Sequence, residues 1–196
     1  MNEVSAILDA YAAGVFPMAD SRDAPDCYFI EPKKRGIIPL DHFNIPRSLQ
    51  KFMVDCPYRV TINKDFASVI AQCAEIPRHH ESTTWINHQI EGWFNKLHNA
   101  GYAHSVEVWH EEDLVGGLYG LAQGGCFNGE SMFSHADNAS KIALVHLVER
   151  LRYRGFTLLD TQFVNDHLKQ FGCIEIPQAE YMDLLDDALK LHVSFV

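Results

Sequence analysis

Two carboxylates in or after short apolar runs have the clearest capacity for chemistry in this sequence. Glu130 stands in the strand-like segment Cys126 to Phe133, where a charged group is costly unless it is paired. Its partner could be a ligand cation, an internal salt bridge or backbone amides. Asp160 ends the apolar run that begins at Thr157, and taken alone it fits the N-cap of a following helix equally well.

Residue types that bind metals or form disulfides show no recognisable pattern. Of the eleven histidines, none forms a helical pair four residues apart with a carboxylate nearby, and His79-His80 lies in a polar segment after Pro77. The cysteines are odd in number and far apart, at Cys27, Cys56, Cys73, Cys126 and Cys173. We therefore expect buried, reduced cysteines and no metal.

The formal net charge of −10 restricts the possible partners. Nonspecific binding of nucleic acid depends on Lys and Arg, so the acidic balance argues against it without excluding a local basic patch. Lys33-Lys34-Arg35 and Arg150-Arg152-Arg154 could form such patches, or be solvated faces and favourable charge at a helix C-terminus. Because no apolar run approaches the roughly 20 residues of a membrane span and no signal peptide is evident, we expect a cytoplasmic protein without a membrane partner.

The elements that must position the two carboxylates lie mainly in the second half of the chain. Before it, prolines interrupt short irregular elements, and a helix is predicted only behind Asp65, on the spacing of Phe66, Val69, Ile70 and Cys73. Later patterns are clearer: a helix face at Ile86, Ile90, Trp93, Phe94 and Leu97, strands at 104–110, 114–122 and 126–133, a helix capped by Ser140, a strand at 157–160, a helix at 164–171, a brief strand and a last helix.

This order of elements is typical of an α+β acyltransferase core of the GNAT kind. A GNAT enzyme that uses acetyl-CoA normally has a glycine-rich pyrophosphate loop before the central helix. Here that segment reads Phe133-Ser-His-Ala-Asp-Asn-Ala-Ser-Lys141 and has no glycine. We therefore expect an acyl donor other than CoA.

The sequence resembles the leucyl/phenylalanyl-tRNA–protein transferase family along nearly its whole length. The resemblance lies in a series of short segments in order: Tyr11-Ala-Ala-Gly-Val-Phe-Pro-Met18, Arg35-Gly-Ile-Ile-Pro-Leu40, Thr84-Trp-Ile86, His104-Ser-Val-Glu-Val-Trp109, Leu114-Val-Gly-Gly-Leu-Tyr-Gly120, Gly129-Glu-Ser-Met-Phe-Ser134, Asn138-Ala-Ser-Lys141 and Asp160-Thr-Gln162 with Asn165 and His167-Leu168. Each segment alone is weak, but so many in order make chance a poor explanation.

The resemblance implies a fold and a reaction. The fold is a GNAT-like catalytic domain over residues 81–196, preceded by a small α/β domain over residues 1–80. The reaction is an aminoacyl transfer without a cofactor, from tRNA charged with Leu, Phe or Met to the N-terminal amine of proteins that begin with Lys or Arg. The added residue marks the protein for degradation by the N-end rule pathway.

The resemblance also assigns roles to residues. It implies catalysis by Asp160 and Gln162, and binding of the acceptor's cation by Glu130. Because a neutral carboxamide is a very weak base, we expect Gln162 to orient the amine while Asp160 fixes Gln162 and supplies negative charge. The donor's side chain would enter an apolar pocket that, without the resemblance, is ordinary core: Leu118, Phe127, Met132, Leu144, Leu147 and Leu159. The donor's terminal adenosine would contact Trp85, Asn165 and Phe29.

Four positions depart from the family's pattern. Phe29 stands where Trp is usual, and Thr161 where Cys is common. His135 and Gln178 stand where Arg is usual, which removes positive charge and weakens the expected contact with tRNA.

Two rival functions remain open at this point. A GNAT N-acetyltransferase would bind CoA. A noncatalytic binding module would tolerate replacement of Asp160 or Gln162.

Overall fold

A mixed seven-stranded sheet organises the computed structural model, which describes residues 2–75 and 84–196. Its strand order is β4-β5-β6-β7-β8-β3-β9, and β1 and β2 form a separate pair. The strands are β1 (Phe16–Met18), β2 (Tyr28–Ile30), β3 (Lys34–Ile37), β4 (Arg59–Ile62), β5 (Ala103–His110), β6 (Asp113–Gln123), β7 (Cys126–Ser134), β8 (Leu158–Gln162) and β9 (Ile174–Pro177). The expected α+β, GNAT-like fold class is confirmed.

Helices cover the sheet and connect its strands. They are α1 (Glu3–Ala12), α2 (Arg47–Val54), α3 (Phe66–Glu75), α4 (His88–Asn99), α5 (Ala139–Arg154), α6 (Asp166–Lys169) and α7 (Gln178–Leu189). Within the described ranges, no helix is long and apolar enough to cross a membrane.

Side-chain caps fix the starts of two predicted helices. The Asp65 carboxylate accepts a hydrogen bond from the Ser68 N–H at 3.1 Å, which begins α3 as predicted. The Asn87 side-chain oxygen accepts a hydrogen bond from the Ile90 N–H at 2.9 Å, so α4 begins at His88 and Ile86 lies before it.

Two predicted boundaries were wrong in detail. Ser140 lies inside α5 and does not cap it; the cap position is Asn138, whose backbone is left-handed with φ of 61°. The last strand of the core extends past Asp160 to Gln162, so the following helix begins only at Asp166.

The first half of the chain supplies strands to the same sheet. The β4 strand pairs with β5, and β3 lies between β8 and β9, antiparallel to both. These strands are not predicted from the sequence, because four residues are too few to show the alternation of apolar and polar side chains. The predicted domain boundary at residue 80 lies outside the described residues and stays a prediction.

Two apolar clusters lie on opposite faces of the sheet. Leu118 and Tyr119 are neighbours in β6, yet Leu118 packs in the cluster beside α5 and Tyr119 in the cluster beside α3 and α4. Adjacent residues of a strand point to opposite faces, so each face of β6 contributes to a different core. Both cores consist of side chains that are almost fully buried.

The arginines at the end of α5 bind backbone oxygens of the chain itself. Arg150 Nε donates to the Phe195 oxygen at 2.7 Å, and Arg154 Nε donates to the Ser194 oxygen at 2.6 Å. Arg152 donates from Nε to the Leu40 oxygen at 2.8 Å. The contacts of Arg150 and Arg154 hold the segment after α7 against α5, and that of Arg152 holds the segment after β3, so this basic cluster has a structural role.

The close packing of β6 against β7 predicts opposite effects for two glycine substitutions. A methyl group at Gly120 would overlap the Asn128 carbonyl oxygen and the Phe127 ring, whereas one at Gly92 in α4 would meet nothing within 4 Å. We expect Gly120→Ala to lower the free energy of unfolding by about 1–3 kcal/mol or more. Gly92→Ala should raise it by about 0.5–1 kcal/mol through the higher helix propensity of alanine. Urea denaturation of both variants tests this, and equal stabilities would contradict it.

Candidate active site

A β-bulge and a separation of strands create the opening where the candidate residues meet. Tyr119 pairs with Ser131 and Gly120 with Gly129, so Glu130 is the extra residue of the bulge. A bulge of this kind redirects a side chain, and here Glu130 turns toward the end of β8. The parallel pairing of β7 with β8 stops at the pair Asn128 and Asp160. The later residues of the two strands are therefore not paired with each other.

Asp160 is the centre of a buried hydrogen-bond network at the end of β8. Both its oxygens lie 3.0 Å from Arg35 Nε, and Oδ2 lies 2.6 Å from an Arg35 terminal nitrogen. The Tyr181 hydroxyl donates to Oδ2 at 3.0 Å, and the Gln162 backbone N–H donates to Oδ1 at 2.8 Å. The side chains of Arg35 and Asp160 are fully buried. A buried pair of this kind is tolerated because each partner satisfies the other.

Aromatic rings and a backbone carbonyl complete the surroundings of Arg35. Its guanidinium lies 4.8 Å from the centre of the Phe16 ring and 4.3 Å from that of Tyr181, and it donates to the Gly14 carbonyl at 2.8 Å. Burial alone would lower the pKa of Arg35, but the Asp160 carboxylate outweighs it and the net shift is upward. Burial raises the pKa of Tyr181, and the Asp160 carboxylate adds a second, smaller upward effect. Both side chains therefore hold their protons and keep donating to Asp160.

Gln162 has an unusual backbone conformation, which this network supports. Its φ is 57°, in the left-handed region that costs a non-glycine residue on the order of 1–3 kcal/mol unless the surroundings compensate. The hydrogen bond from its N–H to Asp160 is one such compensation. The Gln162 carboxamide nitrogen donates to Glu130 Oε1 at 3.3 Å. Asp160 thus holds the backbone of Gln162, while Glu130 holds its amide.

Glu130 lies deep in a pocket, although part of the residue's surface stays open to it. Burial raises the pKa of Glu130 to about 8, with a smaller upward effect from Asp160, and Arg35 and Tyr11 act in the opposite direction. Tyr11 on α1 is almost fully buried beside Glu130, and burial and this carboxylate raise the pKa of its hydroxyl. The Tyr11 hydroxyl makes no hydrogen bond of normal geometry with the described residues.

The pocket above Glu130 has a polar base and apolar walls. It has a volume of about 170 Å³ and is lined by Glu130 and Gln162 together with Phe16, Pro17, Met18, Trp85 and Phe163. Among the described residues no basic side chain lines it, because Arg35 lies behind Asp160. We call it the carboxylate pocket.

A second, apolar cavity of about 60 Å³ opens from the same strands. It is lined by five of the six predicted donor-pocket residues, Leu118, Met132, Leu144, Leu147 and Leu159, and also by Gly129 and Thr161. The leucines of this cavity belong to the cluster beside α5, whereas Phe16 and Trp85 of the carboxylate pocket belong to the cluster beside α3 and α4, so the two cavities lie on opposite faces of the sheet. Thr161 therefore lines the apolar cavity, whereas Gln162 lines the carboxylate pocket.

Phe127, the sixth predicted donor-pocket residue, does not line this cavity. It is fully buried, and its ring stacks on that of Phe195, with centroids 5.1 Å apart. Phe127 packs in the apolar cluster behind the wall of the cavity and does not line the cavity itself.

The three residues expected to contact adenosine do not all line the carboxylate pocket. Trp85 lies in the carboxylate pocket. Asn165 caps α6, since its side-chain oxygen accepts the Leu168 N–H at 2.8 Å. Phe29 is half exposed and stacks on Trp93 of α4, with ring centroids 6.2 Å apart.

The two departures that remove positive charge have partners within the chain. His135 Nε2 lies 2.5 Å from the Gln72 side-chain oxygen. The Gln178 side-chain nitrogen donates to the Gly14 carbonyl at 3.4 Å, the oxygen that also accepts from Arg35.

Three residues of the site were missed as such in the sequence. Arg35 was counted within a possible surface patch, although its place in a family-like segment was a usable signal. Tyr181 lies in the predicted last helix without any signal of its own, and Tyr11 stands only within a family-like segment. Among residues 2–75 and 84–196, no group of three His, Cys, Asp or Glu side chains could hold a metal.

Comparison with known families assigns the chain clearly. The model of the family described as leucyl/phenylalanyl-tRNA protein transferase matches residues 37–186. The leucyl/phenylalanyl-tRNA–protein transferase of Maricaulis maris (strain MCS10) is 52% identical over 189 residues, which are 96% of this chain and 87% of that protein. The protein of the same name from Rhizorhabdus wittichii is 54% identical over 183 residues, 93% of this chain and 73% of that protein.

Among solved structures, the chain is similar in fold to FemX. The two superpose with a TM-score of 0.57 at 13% identity, over 88% of this chain and 66% of that chain. At this identity the similarity concerns the fold alone.

The buried pair predicts a strong asymmetry between two salt bridges. Arg35→Met leaves Asp160 buried without its counterion and should lower the free energy of unfolding by about 3–5 kcal/mol. Arg22→Met removes the partly exposed pair of Arg22 with Glu91 and should cost about 1 kcal/mol or less. The double variant Arg35→Met/Asp160→Asn should recover part of the larger loss. Denaturation curves measure all three, and similar losses from the two single variants would show that the Arg35–Asp160 pair is not critical.

The raised pKa of Glu130 predicts the direction of a pH effect. An unfolded glutamate has a pKa of roughly 4.3, so between that value and about 8 the folded protein keeps a proton that the unfolded chain loses. This contribution to the free energy of unfolding therefore falls as the pH rises through that window. Glu130→Gln lacks it, so it should match the parent near pH 4 and become more stable by pH 9, by up to a few kcal/mol. Parallel stability profiles for the two proteins would refute the assignment.

Proposed function

The chain belongs to the leucyl/phenylalanyl-tRNA protein transferase family, and we propose that it transfers leucine or phenylalanine from charged tRNA to the N-terminal amine of proteins that begin with Lys or Arg. It is thus an aminoacyltransferase. One observation carries the proposal best: a carboxylate and a carboxamide meet in a cation-compatible pocket, with an apolar cavity on the opposite face of the same strands.

The reaction is the aminolysis of an ester that is already activated. The acceptor's amine attacks the donor's carbonyl carbon, a C–N bond forms, and the C–O bond to the ribose of the terminal adenosine breaks. The amine loses a proton and the ribose oxygen gains one, so atoms and charges balance without an oxidant or a cofactor. A free α-amine has a pKa of roughly 7.7–8.0, so a useful fraction is neutral near pH 7. The enzyme's main tasks are therefore positioning and stabilisation of developing charge.

The donor's side chain occupies the apolar cavity. Leu118, Met132, Leu144, Leu147 and Leu159 line it, and Phe127 backs it. At about 60 Å³ the cavity is smaller than the about 150 Å³ that holds one benzene, so Met132 and the leucines must move apart to admit Leu, Phe or Met, and the flexible thioether chain of Met132 suits this. The terminal adenosine lies near Trp85 at the rim of the other pocket, with Asn165 and Phe29 as further contacts.

The catalytic pair acts through position. Asp160 fixes the left-handed backbone of Gln162. Because the Gln162 nitrogen donates to Glu130, the amide oxygen is the atom that can accept a hydrogen bond from the attacking amine. Glu130 binds the positive charge of the acceptor's N-terminal residue, which lowers the cost of its own ionisation.

The biological consequence follows from the product. A protein that gains an N-terminal Leu or Phe acquires the type of terminus that directs degradation in the N-end rule pathway. The donor is charged tRNA, so the proposed site of action is the cytoplasm.

The decisive experiment is transfer of labelled phenylalanine or leucine from charged tRNA to a peptide that begins with arginine. The same peptide with an acetylated N-terminus is the acceptor control and should stay unlabelled. Absence of label in both peptides, with folded protein, would refute the proposal and return attention to CoA-dependent acetylation.

The role of Gln162 can be separated from its backbone strain. Gln162→Gly keeps the left-handed conformation at no steric cost but removes the amide, and should lower kcat/KM by about 10²-fold. Glu111→Gly is a matched control, because Glu111 is exposed in a turn with φ of 54°, and it should leave transfer unchanged. Full activity of Gln162→Gly would exclude a catalytic role for the amide.

A further inference from the structure

Phe163 is an exposed aromatic residue at the entrance of the carboxylate pocket. Half of its surface is accessible, and it is the one large, exposed apolar side chain among the described residues that lines this pocket. It directly follows Gln162, so its position depends on the left-handed turn there. Within the protein its ring meets the Phe16 ring edge to face, with centroids 5.7 Å apart.

The lining of the pocket fits a cation with an apolar stem. Glu130 at the base can supply a carboxylate charge once a cation lies beside it, Phe163 and Trp85 supply aromatic surface, and none of the described lining residues is Lys, Arg or His. A cation near an aromatic face is attracted by the ring's quadrupole, most strongly where water is partly excluded. At about 170 Å³ the pocket is close to the size of an engineered cavity of about 150 Å³ that holds one benzene. It therefore has room for one side chain and not for a nucleoside as well.

The same chemistry is already present one layer deeper. The Arg35 guanidinium lies 4.8 Å from the centre of the Phe16 ring, and Phe16 in turn contacts Phe163. Phe16 thus borders the buried guanidinium of Arg35, while the neighbouring ring of Phe163 stays open to the pocket.

We propose that Phe163 is a specificity-determining residue of the acceptor site, whose ring stacks on the cationic side chain of the acceptor's N-terminal residue. This rests on the proposed function and deepens it. A guanidinium is planar and weakly hydrated, whereas an ammonium is compact and strongly hydrated, so the ring favours N-terminal Arg over Lys. Glu130 provides the charge complement and Phe163 the preference between the two cations.

The test compares three peptides that differ only in the first residue: Arg, Lys and the uncharged arginine analogue citrulline. Phe163→Leu keeps an apolar side chain without a π face. It should lower kcat/KM for the Arg peptide by about three- to tenfold, with a smaller loss for Lys and the smallest for citrulline. Phe163→Tyr should keep the parent's Arg-to-Lys ratio. Tyr153→Leu, at a ring that is 86% exposed and outside this pocket, should change none of the rates.

The outcomes separate this proposal from the one it rests on. An equal loss for all three peptides with a raised KM for charged tRNA would place Phe163 against the donor and overturn the proposal, as would unchanged rates. A parent protein that fails to label the Arg peptide would instead overturn the proposed function. If Phe163→Leu does not fold, Phe163→Met is read by the same three ratios.

Discussion

The buried contact between Arg35 and Asp160 is the interaction on which the rest of the site depends. Each charge would be prohibitively costly in the interior alone, and together they are satisfied by Tyr181, the Gly14 carbonyl and the Gln162 backbone. The pair joins β3 to β8 and brings α1 and α7 against the same point. Asp160 consequently has no free charge to offer to a substrate. Its effect reaches the pocket through the conformation of Gln162 and through the field felt by Glu130.

Where β7 and β8 separate, the sheet forms a site that can be reached from both of its faces. Up to Asn128 and Asp160 the strands are joined, and their two faces pack in different apolar clusters, one beside α5 and one beside α7. Beyond them the strand ends present Glu130 and Gln162 on one face and Gly129 and Thr161 on the other. An apolar group and a cationic group can therefore approach from opposite faces and meet at the strand ends. The bulge at Glu130 contributes to this, because it redirects a side chain of β7 two residues beyond the last pair with β8.

Much of the second half of the fold could be predicted from the sequence, and the reasons are local. In α3, α4 and β5 to β7 the apolar period and the caps at Asp65 and Asn87 agree with each other. The chemistry of the site was less accessible. Arg35 is paired with a residue 125 positions away, and neither the left-handed backbone of Gln162 nor the bulge at Glu130 has a signature in residue types. The apolar cavity was found through family resemblance, since its residues are indistinguishable from core by composition.

The position of β3 in the sheet also determines when activity can arise during synthesis. This strand is made early, yet both of its neighbours, β8 and β9, are made more than a hundred residues later. Until residues 158–177 have been synthesised, Arg35 lacks both the Asp160 carboxylate and the two strands that flank β3. Non-local pairing of this kind slows folding. The active site is therefore completed late in folding, after β3 has paired with β8 and β9.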